Sequence, residues 1–570
     1  MKLETFFEHF DLLAEAPNSV QKLRELILDL AVRGKLVPQD ANDEPAAVLL
    51  ERIKKEKERL VKEKKISKLE SLPAIKDDEI PYDLPKSWEW VRLGNIGETN
   101  IGLTYSPSDI SDTGIPVLRS SNIQSGKICL TDLKRVNTKI KESNFVHTGD
   151  LLICARNGSK HLVGKTALIQ DLPEVMAFGA FMAIFRSRCN EYLLYFINSP
   201  LFRRMIDDVN TTTINQITQQ NLKSTIFPLP PLNEQKRIVS KVDELMKLCD
   251  ELEARQKKKR ETRILINNAA LNKLLTAETP ETFTKNWQRI GDNFDILYSA
   301  PENIGKLRQA ILQLAVMGKL VPQDANDEPA AVLLERIKKE KERLVKEGKI
   351  KNEQSIVIDG NLYQIPKQWE LVSLNQIIAL MDSGWSPACK NHPTLDKSKW
   401  GVLKTTAVQP LVYKEEEHKE LPEHLEPRPD YEVQVGDLLI TRAGPKNRVG
   451  ICCLVKKTRP KLMISDKIIR FHLFEPFIFP DFIVLILNTG FSQSFIETQK
   501  SGMAESQMNI SQAKLRMTPI PLPPFNEQKR IVTKVDKLMK LCDELETKLT
   551  QTQTESEKII NAAVKQLLTV

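Results

Sequence analysis

The chain has 570 residues, a formal net charge of +8, 41% hydrophobic residues and 28% charged residues. This length is too great for one hydrophobic core and predicts three or four folded units of about 100–200 residues each. The composition is that of a folded protein with some long polar helices, and the mild basic excess permits nucleic-acid binding without requiring it.

Three classes of protein are disfavoured by the sequence. Its eight cysteines include no Cys-x-x-Cys pair, so neither a disulfide framework nor a metal site is indicated. Acidic residues interrupt the apolar run at the N-terminus, unlike a signal peptide. The most apolar window, 482–487, follows Pro480 and Asp481 and is too short to span a membrane. We therefore expect a cytoplasmic protein that has no metal and no membrane association.

Four sequence blocks occur twice in the same order, which makes the chain a pseudo-dimer. The paired blocks lie at 22–66 and 306–350, 82–93 and 363–374, 148–158 and 435–444, and 228–253 and 521–546. The segments between the blocks differ sharply, whereas a recent duplication would have kept them alike. The two halves therefore share a framework and differ in the surfaces that the framework presents.

The first repeated block predicts two helices. One is capped at 18–19, runs to Arg33 and stops at Gly34. The next is charged on most faces, has Pro45 in its first turn after Asp43 or Glu44, and continues to about Lys65.

Short strands are predicted in the variable region that follows. Apolar or β-branched runs broken by Gly, Pro and Asp lie near 88–93, 115–119, 150–155, 166–169 and 180–186. A helix is predicted near 192–198, with a shorter one opened by Ser199 and Pro200. The second variable region repeats this order, with its helix near 482–488. Each region should therefore be an α+β domain of about 140 residues.

The last repeated block predicts a long helix in each half. Apolar residues alternate there at spacings of four and three, at Ile238, Val242, Leu245, Cys249 and Leu252, and at Ile531, Val535, Leu538, Cys542 and Leu545. Such an a/d seam requires a partner helix. The charged flanks favour two long antiparallel, coiled-coil-like helices that hold the domains at a fixed separation. Core helices of an ordinary domain are the alternative.

Sequences that look catalytic fail in their details. Gly158 and Gly164 enclose five residues where a phosphate loop needs four, so a turn between strands is the better interpretation. The tetrad 522–525 resembles an amino-methyltransferase site, but its leucine cannot hold an amino group. Because no other catalytic motif is found, we do not expect an enzyme.

The segments PKSWEWVRLGNI, IPVLRSSNIQSGK, GDLLICARNG and PLPPLNEQKRIV, repeated across two halves, closely resemble specificity subunits of type I restriction-modification enzymes. The resemblance covers nearly the whole chain. It implies a non-catalytic subunit whose two target-recognition domains each read one half of a two-part site in double-stranded DNA. A fused pseudo-dimer with unlike domains should read an asymmetric site, because a symmetric dimer reads a palindrome.

Partners and cofactors follow from the same resemblance. It implies two methyltransferase subunits that use S-adenosylmethionine, and restriction subunits that use ATP and Mg²⁺, with no cofactor in this chain. A free-standing two-part DNA-binding regulator without enzyme partners is the alternative. The expected domains are an N-terminal helical region at 1–80, recognition domains at 81–230 and 363–523, a central helical region at 231–362, and a C-terminal helical region at 524–570.

Candidate DNA contacts lie in loops that follow the predicted strands. Cations at matched positions, with hydroxyl residues beside them, suit contacts to phosphates and groove edges, and asparagines suit adenine. The candidates are Thr104, Tyr105, Arg119, Ser120, Asn122, Arg156, Asn157, Lys160, Thr212 and Thr213 in the first half, and Trp385, Lys404, Thr405, Thr406, Arg442, Lys446, Asn447 and Arg448 in the second. Solvated surface charge is the alternative for each cation. The polar loops 210–213 and 501–506 are further candidates.

Candidate partner contacts lie on the repeated charged helices. Residues 34–63 recur unchanged at 318–347, although exposed Lys and Glu positions cost little to change. Docking of two identical methyltransferase subunits would explain the identity, and a recent exchange of DNA between the repeats is the equal alternative. The candidate contacts are Arg52, Lys55, Glu58, Arg336, Lys339 and Glu342.

Overall fold

The computed structural model describes residues 18–63, 71–124, 126–209, 215–350, 356, 358 and 365–569. They form two compact units. Unit 1 contains the described residues up to Lys259 together with those from Gln551 onward, and unit 2 contains Arg260–Thr550.

The helices are numbered in chain order. They are α1 Ser19–Val32, α2 Ala46–Lys62, α3 Leu93–Ile96, α4 Asn190–Ile197, α5 Pro200–Val209, α6 Gln219–Ser224, α7 Leu232–Leu275, α8 Pro280–Asp292, α9 Phe294–Leu297, α10 Pro301–Val316, α11 Ala330–Lys346, α12 Leu374–Ile377, α13 Pro480–Leu487, α14 Gly490–Gln499, α15 Gln512–Arg516 and α16 Phe525–Thr569. None of these helices, within the described ranges, carries an apolar stretch long enough to cross a membrane.

The strands of unit 1 are β1 Glu89–Arg92, β2 Glu98–Ile101, β3 Ile110–Ser111, β4 Ile115–Leu118, β5 Ile123–Gln124, β6 Lys127–Ile128, β7 Lys134–Val136, β8 Leu151–Cys154, β9 Thr166–Leu168, β10 Ala177–Phe178, β11 Met182–Arg186 and β12 Ile226–Leu229. Those of unit 2 are β13 Glu370–Ser373, β14 Ile378–Ser383, β15 Gly401–Leu403, β16 Val408–Gln409, β17 Val412–Tyr413, β18 His418–Glu420, β19 Leu438–Thr441, β20 Ala443–Gly444, β21 Cys452–Leu454, β22 Leu462–Met463, β23 Ile468–Leu473, β24 Ser501–Gly502, β25 Met508–Asn509 and β26 Pro519–Leu522.

Unit 1 is organised around an antiparallel sheet in the order β2-β11-β8-β9, in which Ile184 lies between Asn100 and Leu152. A second sheet, β10-β4-β7-β3, is mixed because β10 and β4 run parallel. Strand β1 pairs with β12, with Trp90 opposite Pro228, so the first and last strands of the domain are joined.

Unit 2 repeats most of this topology, but its mixed sheet has three strands among the described residues where that of unit 1 has four. Its sheets are β14-β23-β19-β21, β18-β15-β22 and the pair β13-β26. An additional sheet, β20-β25-β24, joins the polar segment 501–509 to the strand at Ala443 and Gly444. The predicted fold class is confirmed: two α+β domains are joined by long helices, and one order of elements occurs twice.

Most predicted strands and helices are confirmed, because their apolar runs are buried. All four residues of β8, for example, are buried in the core of unit 1. Two details are wrong. Asn18 makes no side-chain cap for α1, and its backbone lies in the left-handed region at φ 60°. The helix that begins at Pro200 has ten residues and is longer, not shorter, than the eight-residue α4.

The predicted seam on each long helix packs against a shorter helix of the same unit. In unit 1, Ile238, Val242 and Cys249 are buried in a cluster with Ile27 and Ala31 of α1. Arg24 of α1 also pairs with Asp250 and Glu253, at 2.6 and 2.8 Å. The seam therefore has a partner helix inside the unit.

Unit 2 packs its long helix in the same way. Ile531, Val535 and Cys542 of α16 lie in a cluster with Ile311 of α10, and Arg308 pairs with Asp543 and Glu546 at 2.7 and 2.9 Å. Each long helix has residues in both units. α7 begins in unit 1 and ends in unit 2, and α16 begins in unit 2 and ends in unit 1.

A buried carboxyl joins three repeated blocks in unit 1. Glu234, in the first turn of α7, is 1% exposed. It accepts hydrogen bonds from Trp88 Nε1 at 2.9 Å and from Gln39 Nε2 at 2.5 Å. Burial raises the pKa of Glu234 above its usual range, although both hydrogen bonds oppose the shift. This carboxyl fixes the start of the long helix to the first strand of the recognition domain.

Unit 2 contains the same network at matched positions. Glu527 is fully buried and accepts from Trp369 Nε1 at 3.1 Å and from Gln323 Nε2 at 2.5 Å. Beside each network lies a paired arginine, with Arg237 on Asp43 at 2.6 Å and Arg530 on Asp327 at 2.5 Å. These contacts give a structural reason for the repetition of the PQDAND, PKxWE and NEQKRIV motifs.

The glycine that ends α1 is required by the same junction. Gly34 has φ +68°, and a Cβ there would lie 2.5 Å from Pro85 Cγ and 3.1 Å from the Trp88 ring. Gly318 is in the matching position against Pro366 and Trp369. The chain can therefore pass over the buried tryptophan only where it has no side chain.

We predict that Glu234→Ala destabilises unit 1 by about 2–4 kcal/mol, because two buried donors lose their acceptor. Glu234→Gln should cost less, since its single amide oxygen still accepts one of them. Hydrogen exchange of peptides from β1 and α7 measures the effect within unit 1. The control is Glu244→Ala on the same helix, where the carboxylate is 58% exposed in its pair with Lys241, and it should cost less than about 0.5 kcal/mol. Equal losses for the two alanine variants would contradict the network.

Candidate nucleic-acid interface

Several loops of unit 1 meet beyond the end of β8 and the start of β11. The carbonyl of Phe181 accepts hydrogen bonds from the N–H groups of Ala155 and Arg156, at 2.9 and 3.0 Å, and Ile217 N–H donates to Ala155 O at 2.7 Å. Arg156 also forms an isolated β-bridge with Gln216. Backbone hydrogen bonds thus hold the segments 155–165, 179–181 and 215–217 together, and we call this group the unit 1 loop cluster.

Two further segments with predicted contacts join the unit 1 loop cluster. Asn157 Nδ2 donates to Ser120 Oγ at 3.4 Å, which ties 119–124 to the loop after β8. Leu103 N–H donates to Phe178 O at 2.7 Å, so Thr104 emerges beside the turn at 179–181. The structure therefore brings Thr104, Ser120, Arg156 and Asn157 into one region, whereas Tyr105 is half-buried in a small apolar cluster.

Unit 2 assembles its candidates in the same way. Arg442 N–H donates to Lys467 O at 2.8 Å, and Ile510 N–H donates to Arg442 O at 2.9 Å. The predicted loop 501–506 belongs to a β-hairpin, and Lys446 N–H donates to Glu505 O at its tip, at 2.7 Å. The segments 404–409, 441–450, 465–467 and 501–510 form the unit 2 loop cluster.

Most predicted cations form ion pairs within their own unit. The pairs are Arg119 with Asp132 at 3.0 Å, Lys160 with Asp207 at 3.0 Å, Lys404 with Glu417 at 2.7 Å and Lys446 with Glu505 at 2.9 Å. The lysine of the last pair lowers the pKa of Glu505. Because exposed ion pairs contribute little free energy, a phosphate group can compete for such cations.

Arg156 and Arg442 differ from the other cations. Among the described residues neither guanidinium has an acidic partner, and that of Arg156 lies 5.5 Å from the centre of the exposed Phe181 ring. They lie in corresponding loops but one position apart, because Arg442 directly follows β19 where Ala155 follows β8, and Arg156 is matched by Ala443. Each loop cluster nevertheless contains one arginine without an acidic partner among the described residues.

Asn122 is not available to a DNA base in this structure, contrary to the prediction. Its side chain is 1% exposed. Its Oδ1 accepts from Arg119 N–H at 2.9 Å, and its Nδ2 donates to the carbonyls of Cys129 and Asp132 at 3.0 and 3.2 Å. The amide holds the 119–132 turn closed, and its counterpart Ala407 is likewise buried.

Several candidates of the second half also have structural contacts. Arg448 donates to the carbonyls of Thr405 and Val408, at 2.7 and 2.9 Å, so it ties two loops together. Thr406 Oγ1 donates to Glu417 at 2.6 Å. Trp385 is half-buried, with the guanidinium of Arg428 4.3 Å from its ring centre. Asn447 is exposed beside Lys446.

Two candidates, Thr212 and Thr213, lie outside the described residues.

Other residues of the loop clusters were missed by the sequence-based prediction. Phe181, Gln216 and Lys467 belong to the loop clusters and were not predicted. Nothing in the sequence separates Phe181 from the buried Phe178 and Phe185 on either side of it.

The described residues form neither a metal site nor a phosphate loop. Within those ranges no group of three or more His, Cys, Asp and Glu side chains is placed to hold a metal ion. The segment between Gly158 and Gly164 is a turn that leads into strand β9, as predicted, and not a phosphate loop that opens a helix.

Comparison with known proteins identifies the family. The family model for the type I restriction modification DNA specificity domain matches residues 85–261 and again 366–553. The chain belongs to this family. Two relatives from Escherichia coli are the specificity subunits of the type I restriction enzymes EcoEI and EcoAI. They are 43% and 32% identical to this chain, over 94% and 92% of its length and 91% and 90% of theirs.

Solved structures of such proteins cover much of the chain at low identity. The specificity subunit (HsdS) from Thermoanaerobacter tengcongensis is 18% identical, with a TM-score of 0.44 over 86% of this chain and 98% of its own. A chain from a type I restriction-modification system is also 18% identical, with a TM-score of 0.47 over 86% of this chain and 99% of its own. Family membership rests on the sequence relatives. It confirms the predicted resemblance and a non-catalytic DNA specificity subunit.

For this specificity subunit we predict that Asn122→Ala loosens the 119–132 turn without changing the DNA sequence that is recognised. The substitution removes three hydrogen bonds from the turn, and each unpaired backbone group costs about 1–3 kcal/mol. Hydrogen exchange should increase at 119–132, and sequencing of the recognised DNA should show an unchanged site. If the recognised DNA sequence changed while hydrogen exchange at 119–132 did not, Asn122 would instead be a base-contacting residue.

Proposed function

We propose that this specificity subunit reads an asymmetric, two-part site in double-stranded DNA, with each loop cluster contacting one half. The observation that carries the proposal is that each loop cluster contains an arginine, Arg156 or Arg442, that lacks an acidic partner among the described residues. Phosphate contacts supply most of the affinity of such proteins, and groove contacts supply the specificity.

Unlike residues at matched positions support an asymmetric site. The first turn carries Arg119 where the second carries Lys404. Phe181 of unit 1 is matched by Lys467 of unit 2, because each carbonyl accepts from the N–H of the residue directly after β8 or β19. Arginine and lysine present different donors to a base edge, and a phenyl ring presents none. Two such surfaces on one repeated framework are suited to two different half-sites.

The proposal extends to partner subunits. Two methyltransferase subunits with S-adenosylmethionine, and restriction subunits with ATP and Mg²⁺, would act on the DNA that this chain selects in the cytoplasm. The names of the relatives as parts of type I restriction enzymes favour this over a free-standing regulator. We keep the predicted domain boundaries at 80/81, 230/231, 362/363 and 523/524 as part of the proposal.

The identical segments 34–63 and 318–347 provide a surface for two copies of one partner. Burial accounts for some of the identity, since Ala46, Leu49 and Ile53 lie in the core and Gln39 and Asp43 in the networks. It does not account for exposed Lys55 and Glu58, or for their copies Lys339 and Glu342. Arg52 and Arg336 each pair with a glutamate of the preceding turn, Glu44 and Glu328, at 2.5 Å.

We expect an exchange of residues 100–220 for the same region of a relative to change only one half of the recognised sequence. The matching exchange of 382–513, which begins and ends at the corresponding positions of unit 2, should change only the other half. Each recognised sequence is obtained by mapping methylated adenines in cells that also carry the partner subunits. A change in both halves after either exchange would refute the assignment of one half-site to each unit.

Charge reversal tests partner docking. The triple change Arg52→Glu, Lys55→Glu and Glu58→Lys should remove one methyltransferase subunit from the reconstituted complex, and the same change at Arg336, Lys339 and Glu342 should remove the other. Native mass spectrometry gives the stoichiometry. The control is the swap Lys241→Glu with Glu244→Lys, an exposed pair on α7. If two methyltransferase subunits remain bound after both triple changes, recent exchange between the repeats explains the identity instead.

A further inference from the structure

Phe181 is exposed where its neighbours are buried. Phe178 and Phe185 are fully buried, whereas 61% of Phe181 is accessible in the turn between β10 and β11. An exposed phenylalanine forgoes the free energy that burial of its ring would provide. Single exposed apolar residues are common, so exposure alone does not indicate a site. The position of this residue in the unit 1 loop cluster provides the further reason.

The turn that carries Phe181 is held on several sides. Its carbonyl accepts from two N–H groups, those of Ala155 and Arg156, and Gly179 N–H donates to Leu118 O at 3.0 Å. Strand β2 ends directly against the turn, because a Cβ on Gly102 would lie 2.3 Å from Gly179 O. These contacts fix the backbone of the turn, and the ring lies on its exposed side.

Arg156 fixes the ring in relation to a positive charge. Its guanidinium lies 5.5 Å from the ring centre, a distance at which a cation and an aromatic face attract each other. In unit 2 the corresponding turn residue is Lys467, whose carbonyl accepts from Arg442 N–H at 2.8 Å. An apolar ring at this position of the turn is therefore a feature of unit 1, and unit 2 has a lysine there.

We propose that Phe181 contacts a thymine methyl group in the half-site that unit 1 reads, next to the phosphate or base that Arg156 contacts. This inference rests on the proposed function. The thymine methyl is the apolar group that DNA displays on its major-groove edge, and phenylalanine is among the side chains that contact it. Phe181 would thus determine specificity at one base pair, by apolar contact and without a hydrogen bond.

The test is a methyl scan of the DNA. Once the recognised site is known, each thymine is replaced in turn by uracil, which lacks the methyl group but pairs identically. The dissociation constant is measured for the complete complex with its partner subunits. We expect one replacement in the unit 1 half-site to weaken binding by about tenfold. Phe181→Ala should weaken binding to the thymine site by a similar factor and abolish the difference between thymine and uracil at that position.

Matched controls separate this contact from general effects. Val175→Ala alters another side chain of unit 1 that is 61% exposed, and it should retain the uracil sensitivity. Thymines in the other half-site should respond identically in the wild type and in Phe181→Ala. Hydrogen exchange of 177–186 shows whether the variant keeps its fold, and Phe181→Leu, which preserves apolar contact, should retain part of the sensitivity.

Two results would overturn the inference while leaving the proposed function intact. One is specific two-part binding by the wild type with no uracil sensitivity in the unit 1 half-site. The other is a Phe181→Ala variant that binds the site more weakly but keeps the uracil sensitivity. That result is expected of a ring that inserts between bases. Absence of any specific two-part binding by the wild-type complex would instead remove the proposed function and this inference together.

Discussion

The buried carboxyl at the start of each long helix is the interaction on which the rest of the structure depends. Glu234 and Glu527 each accept from a tryptophan and a glutamine that come from two other repeated blocks. Removal of such a carboxyl leaves buried donors without partners, which costs more than the bonds themselves contribute. The helix, the first strand and the segment after the shorter helix are consequently fixed to one another in each unit.

This fixed junction explains how one framework can carry two different surfaces. Strands β1 and β13 pair with β12 and β26, which lead directly into the long helices. The central sheets lie between these paired strands in sequence, and the loops beyond β8 and β19 form the two loop clusters. Loop residues can change there without disturbing the network, because the network lies in the repeated blocks.

The sequence predicted the framework well because the framework is set by local and repeated signals. Runs such as 151–154 are buried throughout and form strands, and the 4-3 spacing at Ile238, Val242 and Cys249 forms the buried face of a helix. Repetition of the blocks identified two units before any contact was known. The partner of the seam was harder to predict, since a spacing pattern does not show whether the facing helix is long or short.

The candidate site was predicted in part. Arg156 and Arg442 were found because both follow a repeated GDLLI motif, and the structure places both within loop clusters, one position apart in register. The burial of Asn122 was not foreseen, because a sequence does not show that an amide is already satisfied by nearby backbone groups, at Arg119, Cys129 and Asp132. Phe181 was missed because its exposure arises from tertiary contacts of the turn, which leave no pattern in the chain.

The most direct test of one unit for each half-site is site-specific photo-cross-linking. A photoreactive amino acid replaces Asn157 of the unit 1 loop cluster or, in a separate protein, Asn447 of the unit 2 loop cluster. The complete complex is bound to its recognised DNA, irradiated, and the cross-linked nucleotides are mapped. We predict that position 157 labels one half-site and position 447 labels the other, with the gap between them unlabelled. Labelling of the same half-site from both positions would contradict it.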